Sequence, residues 1–185
     1  MKANEAAEER DLIERFLGGE SWAFDEIMKR HQHKAYRIAL GMLGDPDEAA
    51  DATQEAFVRA FRSLGNFQFE SRFGTWLHRI VVNQCISRIR RAKLRRTLSL
   101  SEIPERLRST FAGPARDLES RELGQRIGEA VAALPPRQRA VFVMRQDEGM
   151  SYAEISRILS RSEGAVRASY FQAIRKLRKE LADHE

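Results

Sequence analysis

The side chains best suited to recognising another molecule lie near the C-terminal end of the chain. Ser151-Tyr152-Ala153-Glu154 has the pattern of a capping box that opens a short helix. A break at 160–163 then leads into a longer basic helix, which is the helix-turn-helix plan for placing a second helix in the major groove of DNA. Outside its apolar stripe, that helix carries the candidate base readers Arg167, Ser169, Phe171, Gln172, Arg175 and Lys176.

The residue types in this helix suit direct base reading. Arg and Gln can form paired hydrogen bonds with guanine and adenine edges, and an exposed Phe can contact a thymine methyl group. The alternative interpretation is an ordinary helical hairpin, which needs no nucleic acid. The basic block at 157–179, with 7 Lys or Arg and 1 acidic residue, favours DNA.

A second basic region has different chemistry, because it follows a loop rich in aromatic side chains. Residues 71–101 contain 8 Lys or Arg and no Asp or Glu. Aromatic rings beside positive charge suit unpaired bases, which stack on the rings while Arg holds the backbone. The candidates are Phe67, Phe69, Phe73, Trp76, Arg79, Asn83, Arg88, Arg90 and Arg91. Most of these aromatics are expected in the core with one or two exposed, and Asn83 could equally be a structural amide.

The net charge of +5 therefore arises from an acidic first part and two separate basic blocks, since residues 1–70 carry 9 basic and 14 acidic side chains. Two such blocks indicate two contacts with a polyanion, although solvated helix faces are the simpler alternative. No apolar stretch is long enough to cross a membrane and no signal peptide is visible, so a cytoplasmic protein without membrane insertion is expected.

Enzyme chemistry is disfavoured by the motifs. The chain has no glycine-rich phosphate loop and no His-Glu-x-x-His segment. Its one cysteine, Cys85, has no apparent partner base and is interpreted as a small buried apolar side chain. His31 and His33 lie two apart, on different helix faces, and make a poor metal pair. We expect no catalysis, cofactor or metal.

Helical periodicity predicts an all-α fold of two small domains, at 1–97 and 117–185, joined by a flexible linker at 98–116. Within the first domain, Ser21 is expected to cap one helix, Asp45 with Glu48 the next, and Gly44 and Gly65 to end them. Pro135-Pro136 is expected to start a helix of the second domain.

Several segments together resemble the bacterial ECF (group 4) sigma factors of the sigma-70 family. They are Asp45-Pro46-Asp47-Glu48-Ala49-Ala50-Asp51-Ala52-Thr53-Gln54-Glu55-Ala56-Phe57, Phe73-Gly74-Thr75-Trp76-Leu77-His78-Arg79-Ile80-Val81-Val82-Asn83, Leu134-Pro135-Pro136-Arg137-Gln138-Arg139, Gly149-Met150-Ser151-Tyr152-Ala153-Glu154-Ile155 and Ser162-Glu163-Gly164-Ala165-Val166-Arg167. They occur in the family's order and cover nearly the whole chain apart from the linker.

The resemblance implies partners and roles. It implies that Asp51, Gln54, Glu55 and Arg59 dock on the β′ clamp helices of core RNA polymerase. The β subunit of the polymerase is a further implied partner. The loop 66–74 with the basic helix after it would read and melt the −10 promoter element, and the helix 163–179 would read the −35 element. An anti-sigma factor is a further implied partner.

The chain departs from the family's pattern at Ser169, Gln172 and Ile174, where positive charges are common, and at Phe69 and Arg72, where small residues are common. The base preferences therefore cannot be transferred. A stand-alone helix-turn-helix regulator is the alternative function, and a helical adaptor that binds only proteins is a third.

Overall fold

The computed structural model describes residues 2–98 and 118–182, and these residues form α-helices joined by short turns. The first domain contains α1 (Lys2–Leu17), α2 (Trp22–Leu43), α3 (Pro46–Ser63), a 3₁₀ turn (Leu64–Asn66) and α4 (Phe73–Leu98). The second contains α5 (Leu118–Ala133), α6 (Pro136–Gln146), α7 (Tyr152–Leu159) and α8 (Glu163–Ala182). The predicted all-α fold with two helical domains is confirmed.

The predicted linker at 98–116 lies outside the described residues, except for its first residue. The domain boundaries at 97/98 and 116/117 therefore stay predictions.

Small side chains let the helices of the first domain approach closely. α2 packs against α1, α3 and α4. Seven alanines on α2 and α3 have no exposed surface, namely Ala23, Ala35, Ala39, Ala49, Ala52, Ala56 and Ala60. Larger apolar side chains such as Ile27, Ile38 and Leu77 fill the remaining space and are also fully buried. At native packing density, a larger side chain at these alanines would force the helices apart.

In the turn between α2 and α3, Gly44 ends the first helix and Asp45 caps the second, as predicted. Gly44 takes the left-handed conformation, with φ 74°, and its N–H bonds to the carbonyl of Leu40. The Asp45 carboxylate accepts 2.9 Å hydrogen bonds from the backbone N–H groups of Asp47 and Glu48. The Glu48 side chain does not complete a capping box, because it forms an ion pair on α4 instead.

Two other helix-end predictions are wrong. Ser21 has helical backbone angles, φ −59° and ψ −30°, and its side chain makes no capping hydrogen bond. Gly65 does not end α3 directly: the helix ends at Ser63, and Gly65 lies within the 3₁₀ turn. Backbone bonds from Ala23 and Phe24 to the carbonyls of Glu20 and Ser21 take the place of the expected side-chain cap.

The predicted helix-turn-helix is formed by α7 and α8. Both halves of the capping box at Ser151 and Glu154 are present, and Ser160, with φ 52°, ends α7. The α8 stripe is buried against α6 and α7 through Val166, Ala173 and Leu177. α6 begins at Pro136, as expected.

The two domains pack against each other along α2 and α6. A Cβ atom at Gly41 would lie 2.7 Å from Cγ1 of Val143, so with valine at position 143 only glycine permits this approach of the helices. Arg37 Nη2 lies 2.7 Å from Oε2 of Glu148, whose side chain is 1% exposed. Buried apolar residues of both domains belong to one continuous core.

Candidate nucleic-acid interface

The solvent face of α8 presents most of the predicted base-reading side chains. Phe171 is 70% exposed, far more than a core aromatic. Arg167, Gln172, Arg175 and Lys176 are also exposed, whereas Ser169 is half-buried. The face therefore combines positive charge, one amide and one apolar ring, which is the composition needed to contact base edges and phosphates.

Two of these side chains are held by contacts from other helices. The Arg167 guanidinium lies 5.0 Å from the ring centroid of Tyr152, at the start of α7. Gln138 of α6 donates a 2.8 Å hydrogen bond from Nε2 to Oε1 of Gln172. This bond orients the Gln172 amide, so that α6 supports the recognition helix. The sequence offered no indication of Gln138 in this role.

The aromatic loop before α4 divides into buried and accessible rings. Phe67 and Phe73 are 8% and 1% exposed and belong to the core. Phe69 and Trp76 are half-buried, and each makes a ring contact with Phe67, at 4.9 and 5.2 Å between centroids. One or two accessible aromatics were expected, and these two rings line a cavity of about 810 Å³ between the loop, α1 and the end of α7.

Arg79 links this loop region to the second domain. Its Nη2 donates a 2.7 Å hydrogen bond to the carbonyl of Arg157, and its Nε a 3.2 Å bond to the carbonyl of Ile158. These carbonyls belong to the last turn of α7, where a cation is favoured by the helix dipole. Asn83, farther along α4, is exposed. Arg79, which was predicted to contact nucleic acid, is thus hydrogen-bonded to the second domain.

The basic side chains of α4 have different surroundings. Arg88 forms 2.6 Å ion pairs with Glu48 and Glu55 of α3, and its side chain is 17% exposed. Gln84 also donates a hydrogen bond to Glu55. Arg90 and Arg91 are exposed. The positive surface of α4 is therefore carried by its later residues, while Arg88 ties α4 to α3.

The outer face of α3 has the properties of a protein-binding surface. Asp51, Gln54, Glu55 and Arg59 are exposed at helical spacing and share one stripe. Beside them is an apolar groove of about 700 Å³ between α2 and α3, lined by Phe24, Met28, Tyr36, Phe57, Val58 and Phe61. Val58 and Phe61 are 42% and 49% exposed. Sequence reasoning missed this groove.

Burial shifts the pKa values of two side chains in α4. Desolvation, with smaller contributions from the nearby His31 and Lys34, lowers the pKa of His78 to about 3. Desolvation raises the pKa of Cys85 to about 12, despite the neighbouring Arg88. Cys85 is therefore a buried apolar side chain, as predicted, and carries no thiolate at neutral pH.

His31 points toward α1, where its Nε2 lies 2.6 Å from Oε1 of Glu9, and it shares no site with His33. Among residues 2–98 and 118–182, no three His, Cys, Asp or Glu side chains are grouped to hold a metal ion. None of the helices in these two ranges has the length and apolar character needed to cross a membrane.

Comparison with known proteins covers both halves of the chain. Residues 27–95 match the model of Sigma-70 region 2, and residues 124–177 match that of Sigma-70, region 4. The first matched segment contains α3 and most of α4, and the second contains α7 and most of α8.

Full-length relatives extend these matches. The chain is 36% identical to the ECF RNA polymerase sigma factor SigE of Mycolicibacterium smegmatis over 89% of this chain, and it spans 63% of that relative's length. It is 31% identical to the RNA polymerase sigma-H factor of Pseudomonas aeruginosa over 90% of both chains. It is 33% identical to the ECF sigma factor SigM of Mycobacterium tuberculosis over 85% of this chain and 76% of the relative.

Solved structures share the fold. CnrH in complex with the cytosolic domain of CnrY has a TM-score of 0.68 at 23% identity, covering 96% of this chain and 99% of that one. The sigma factor RpoE from Bartonella quintana, in complex with the anti-sigma factor NepR, has a TM-score of 0.66 at 21% identity, covering 86% and 96%.

Proposed function

The chain belongs to the ECF family of RNA polymerase sigma factors, and we propose that it directs core RNA polymerase to promoters with −10 and −35 elements and promotes strand opening. The observation that carries the proposal is the presence of two chemically different basic surfaces on one chain. One is a helix-turn-helix face suited to duplex DNA, and the other joins accessible aromatic rings to a basic helix.

The −35 element is assigned to α8. Its exposed face contains Arg167, Gln172, Arg175 and Lys176, with Phe171 projecting at 70% exposure. Ser169 is half-buried and is assigned a supporting position. Side chains of α8 that reach base edges would set the sequence preference, and those that reach phosphates would set the register on DNA.

The −10 element is assigned to the cavity beside the aromatic loop and to the exposed side of α4. Phe69 and Trp76 offer ring faces for unpaired bases, and Asn83 offers an amide to a base edge. Arg90 and Arg91 are placed to hold the strand backbone. Phe67 and Phe73 support these rings from the core. Arg79 is bonded to α7 and can contact DNA only once α7 moves away.

This assignment requires the two domains to separate. At 3.4 Å per base pair, the ~25 positions between the elements span about 85 Å of duplex. The domains touch in the structure, through Gly41 and Val143 among other contacts. The segment 98–116 can reach about 65 Å when extended, so the two domains and this segment together can cover the distance.

The exposed stripe and apolar groove on α2 and α3 are assigned to core polymerase. Asp51, Gln54, Glu55 and Arg59 would contact the β′ clamp helices, with the β subunit as the neighbouring partner of the second domain. Apolar surface ringed by charged side chains is typical of protein–protein contacts. An anti-sigma factor is proposed to regulate the chain, which we place in the cytoplasm and to which we assign no catalysis and no cofactor.

The deciding experiment mixes the purified protein with core polymerase and a promoter library. We expect a stable complex with core and transcripts that depend on the protein. Failure to bind core would overturn the proposal. Tight binding of duplex DNA without polymerase, and no complex with core, would instead support a stand-alone helix-turn-helix regulator. Absence of DNA binding in every form would indicate a protein adaptor.

A matched pair of variants separates docking from folding. Val58→Asp places a charge in the apolar groove, whereas Leu94→Asp places one at an exposed apolar position on α4, outside the groove. We expect Val58→Asp to weaken binding of core and Leu94→Asp to leave it intact. Equal effects of the two variants would show that the groove is not the docking surface.

A further inference from the structure

The loop residue Phe69 has an uncommon backbone conformation. Its φ is +56°, and among the described residues only Ser160, which ends α7, is another non-glycine with positive φ. A bulky side chain in this region is strained unless its surroundings hold it there. The Phe69 ring is in contact with Phe67 on one side, with 4.9 Å between centroids.

The other contact of the Phe69 ring comes from outside the loop. The guanidinium carbon of Arg10, on α1, lies 4.8 Å from the Phe69 ring centroid. Nε of Arg10 donates a 2.8 Å hydrogen bond to Glu14, which steadies the side chain along the helix. Arg10 and Phe69 form part of the wall of the same cavity.

α1 is fixed in the position that this contact needs. Leu12 and Ile13 are 7% and 1% exposed and bury the helix in the core of the first domain. The Glu9–His31 contact joins the same turn of α1 to α2 at 2.6 Å, with both side chains 17% exposed. Arg10 is therefore presented to the loop by a well-packed helix.

We propose that Arg10 is a positioning residue for strand opening: its cation–π contact holds Phe69 in the left-handed conformation in which the ring faces the cavity for an unpaired base. The inference rests on the proposed function and extends it to α1, a helix that no sequence motif connects with DNA. The Arg10 side chain acts through Phe69, so removing the guanidinium leaves the ring free to leave the cavity wall.

The chain contains a closely matched control. Arg15 lies on the same helix, bonds through Nε to Asp11 at 2.8 Å, and has its guanidinium 5.9 Å from the Trp22 ring. Arg10→Gln and Arg15→Gln therefore remove the same charge, a similar helical ion pair and a similar ring contact. Of the two arginines, only Arg10 contacts a ring of the loop, since Arg15 contacts Trp22.

The test measures open-complex formation by the holoenzyme, read by permanganate reactivity of −10 thymines. Arg10→Gln is expected to reduce opening about two- to fivefold, the range for an exposed cation–π contact. Arg10→Lys should restore most of it, and Arg15→Gln should match wild type. In a Phe69→Leu background, Arg10→Gln should add no further loss, because the two residues act together.

Wild-type opening by Arg10→Gln, or an equal loss from Arg15→Gln, would overturn the inference. If Arg10→Gln reduced opening by the same factor in the Phe69→Leu background, the inference would also be overturned, since Arg10 would then act independently of the ring. Reduced affinity of Arg10→Gln for core polymerase would show a general role of α1 and would also overturn it. A wild-type holoenzyme that opens no promoter would instead overturn the proposed function.

Discussion

Nη1 of Arg139 donates a 2.8 Å hydrogen bond to the carbonyl oxygen of Met42, at the C-terminal end of α2. The same guanidinium donates to the carbonyls of Ala132 and Leu134, at the end of α5. Helix ends leave such carbonyls without partners, and a cation also suits their partial negative charge. Burial lowers the pKa of Arg139 to about 10, so it is still charged at neutral pH.

Arg139→Met should lower the free energy of unfolding by about 2–4 kcal/mol, because several buried carbonyls lose a charged donor. Urea denaturation of the full chain measures this change. Arg137→Met is the control: Arg137 is exposed on the same helix, and its loss should change stability little. Similar stability of the two variants would contradict the role assigned to the buried guanidinium.

A disulfide between the domains should block promoter opening. The position of a Cβ at residue 41 lies 2.7 Å from Cγ1 of Val143, so Gly41→Cys with Val143→Cys brings two thiols within bonding range. The oxidised protein should fail to produce permanganate-reactive −10 thymines, and reductant should restore them. The two single variants show how much of any loss comes from crowding at this contact.

Cys85 will not interfere with this cross-link, because it is buried and its pKa is raised to about 12. If the oxidised double variant opened promoters as well as the reduced one, the domains would not need to separate along α2 and α6.

Replacing Arg167 or Gln172 by Ala should weaken discrimination at particular −35 bases by about 1–3 kcal/mol, the cost of losing a bidentate contact. Binding to a panel of single-base promoter variants measures it. Gln138→Ala should reduce discrimination at the same base as Gln172→Ala, since Gln138 orients that amide. Lys179→Ala, at the far end of α8, is the control. A uniform loss over all sequences would show that the contact is to phosphate.

Trp76→Ala and Asn83→Ala should impair strand opening while leaving −35 binding unchanged, because both residues lie on α4 and away from α8. A permanganate footprint compared with a −35 duplex binding curve separates the two effects. Thr97→Ala offers a control at the other end of α4. An unchanged footprint in both variants would remove the aromatic loop from the opening mechanism.

The stability of the protein should depend on pH through Asp147. Desolvation of its carboxylate, whose Oδ2 lies 3.3 Å from the Cβ position of Gly41, raises the pKa from 3.8 to about 6, with a smaller effect of Glu148. Between these values the folded state binds more protons than the unfolded state, so Asp147 makes the unfolding free energy fall as pH rises. Asp147→Asn should remove this part of the dependence and stabilise the protein above pH ~6. Asp51→Asn, at an exposed position, should retain the pH dependence of the unfolding free energy.

The helices were predictable because their signals are local. Asp45, Gly44, Pro136 and the Ser151–Glu154 box act within one turn of backbone, and all are found where expected. Ser21 fails for the same reason: it has helical backbone angles itself, and backbone bonds from Ala23 and Phe24 satisfy the start of α2. Local pattern alone does not reveal when the backbone supplies its own cap.

The contacts between elements were not predictable in the same way. Nothing near Arg79 in the sequence indicates the carbonyls of α7, and nothing near Arg10 indicates Phe69, because the members of these pairs lie 78 and 59 positions apart. Residue type predicted which side chains could contact nucleic acid. The fold decided which of them are accessible, as the burial of Phe67 and Phe73 shows.

The ion pair between Arg88 and Glu55 connects the face assigned to polymerase with the face assigned to the promoter strand. Glu55 belongs to the stripe assigned to polymerase, and Arg88 belongs to the helix assigned to the promoter strand. A partner that engages the Glu55 carboxylate from outside competes with Arg88 for it, and a phosphate that takes Arg88 frees Glu55. Linkage then requires each ligand to change the affinity of the other by the same factor. Holoenzyme assembly and DNA engagement would thus be thermodynamically coupled within a single pair of helices.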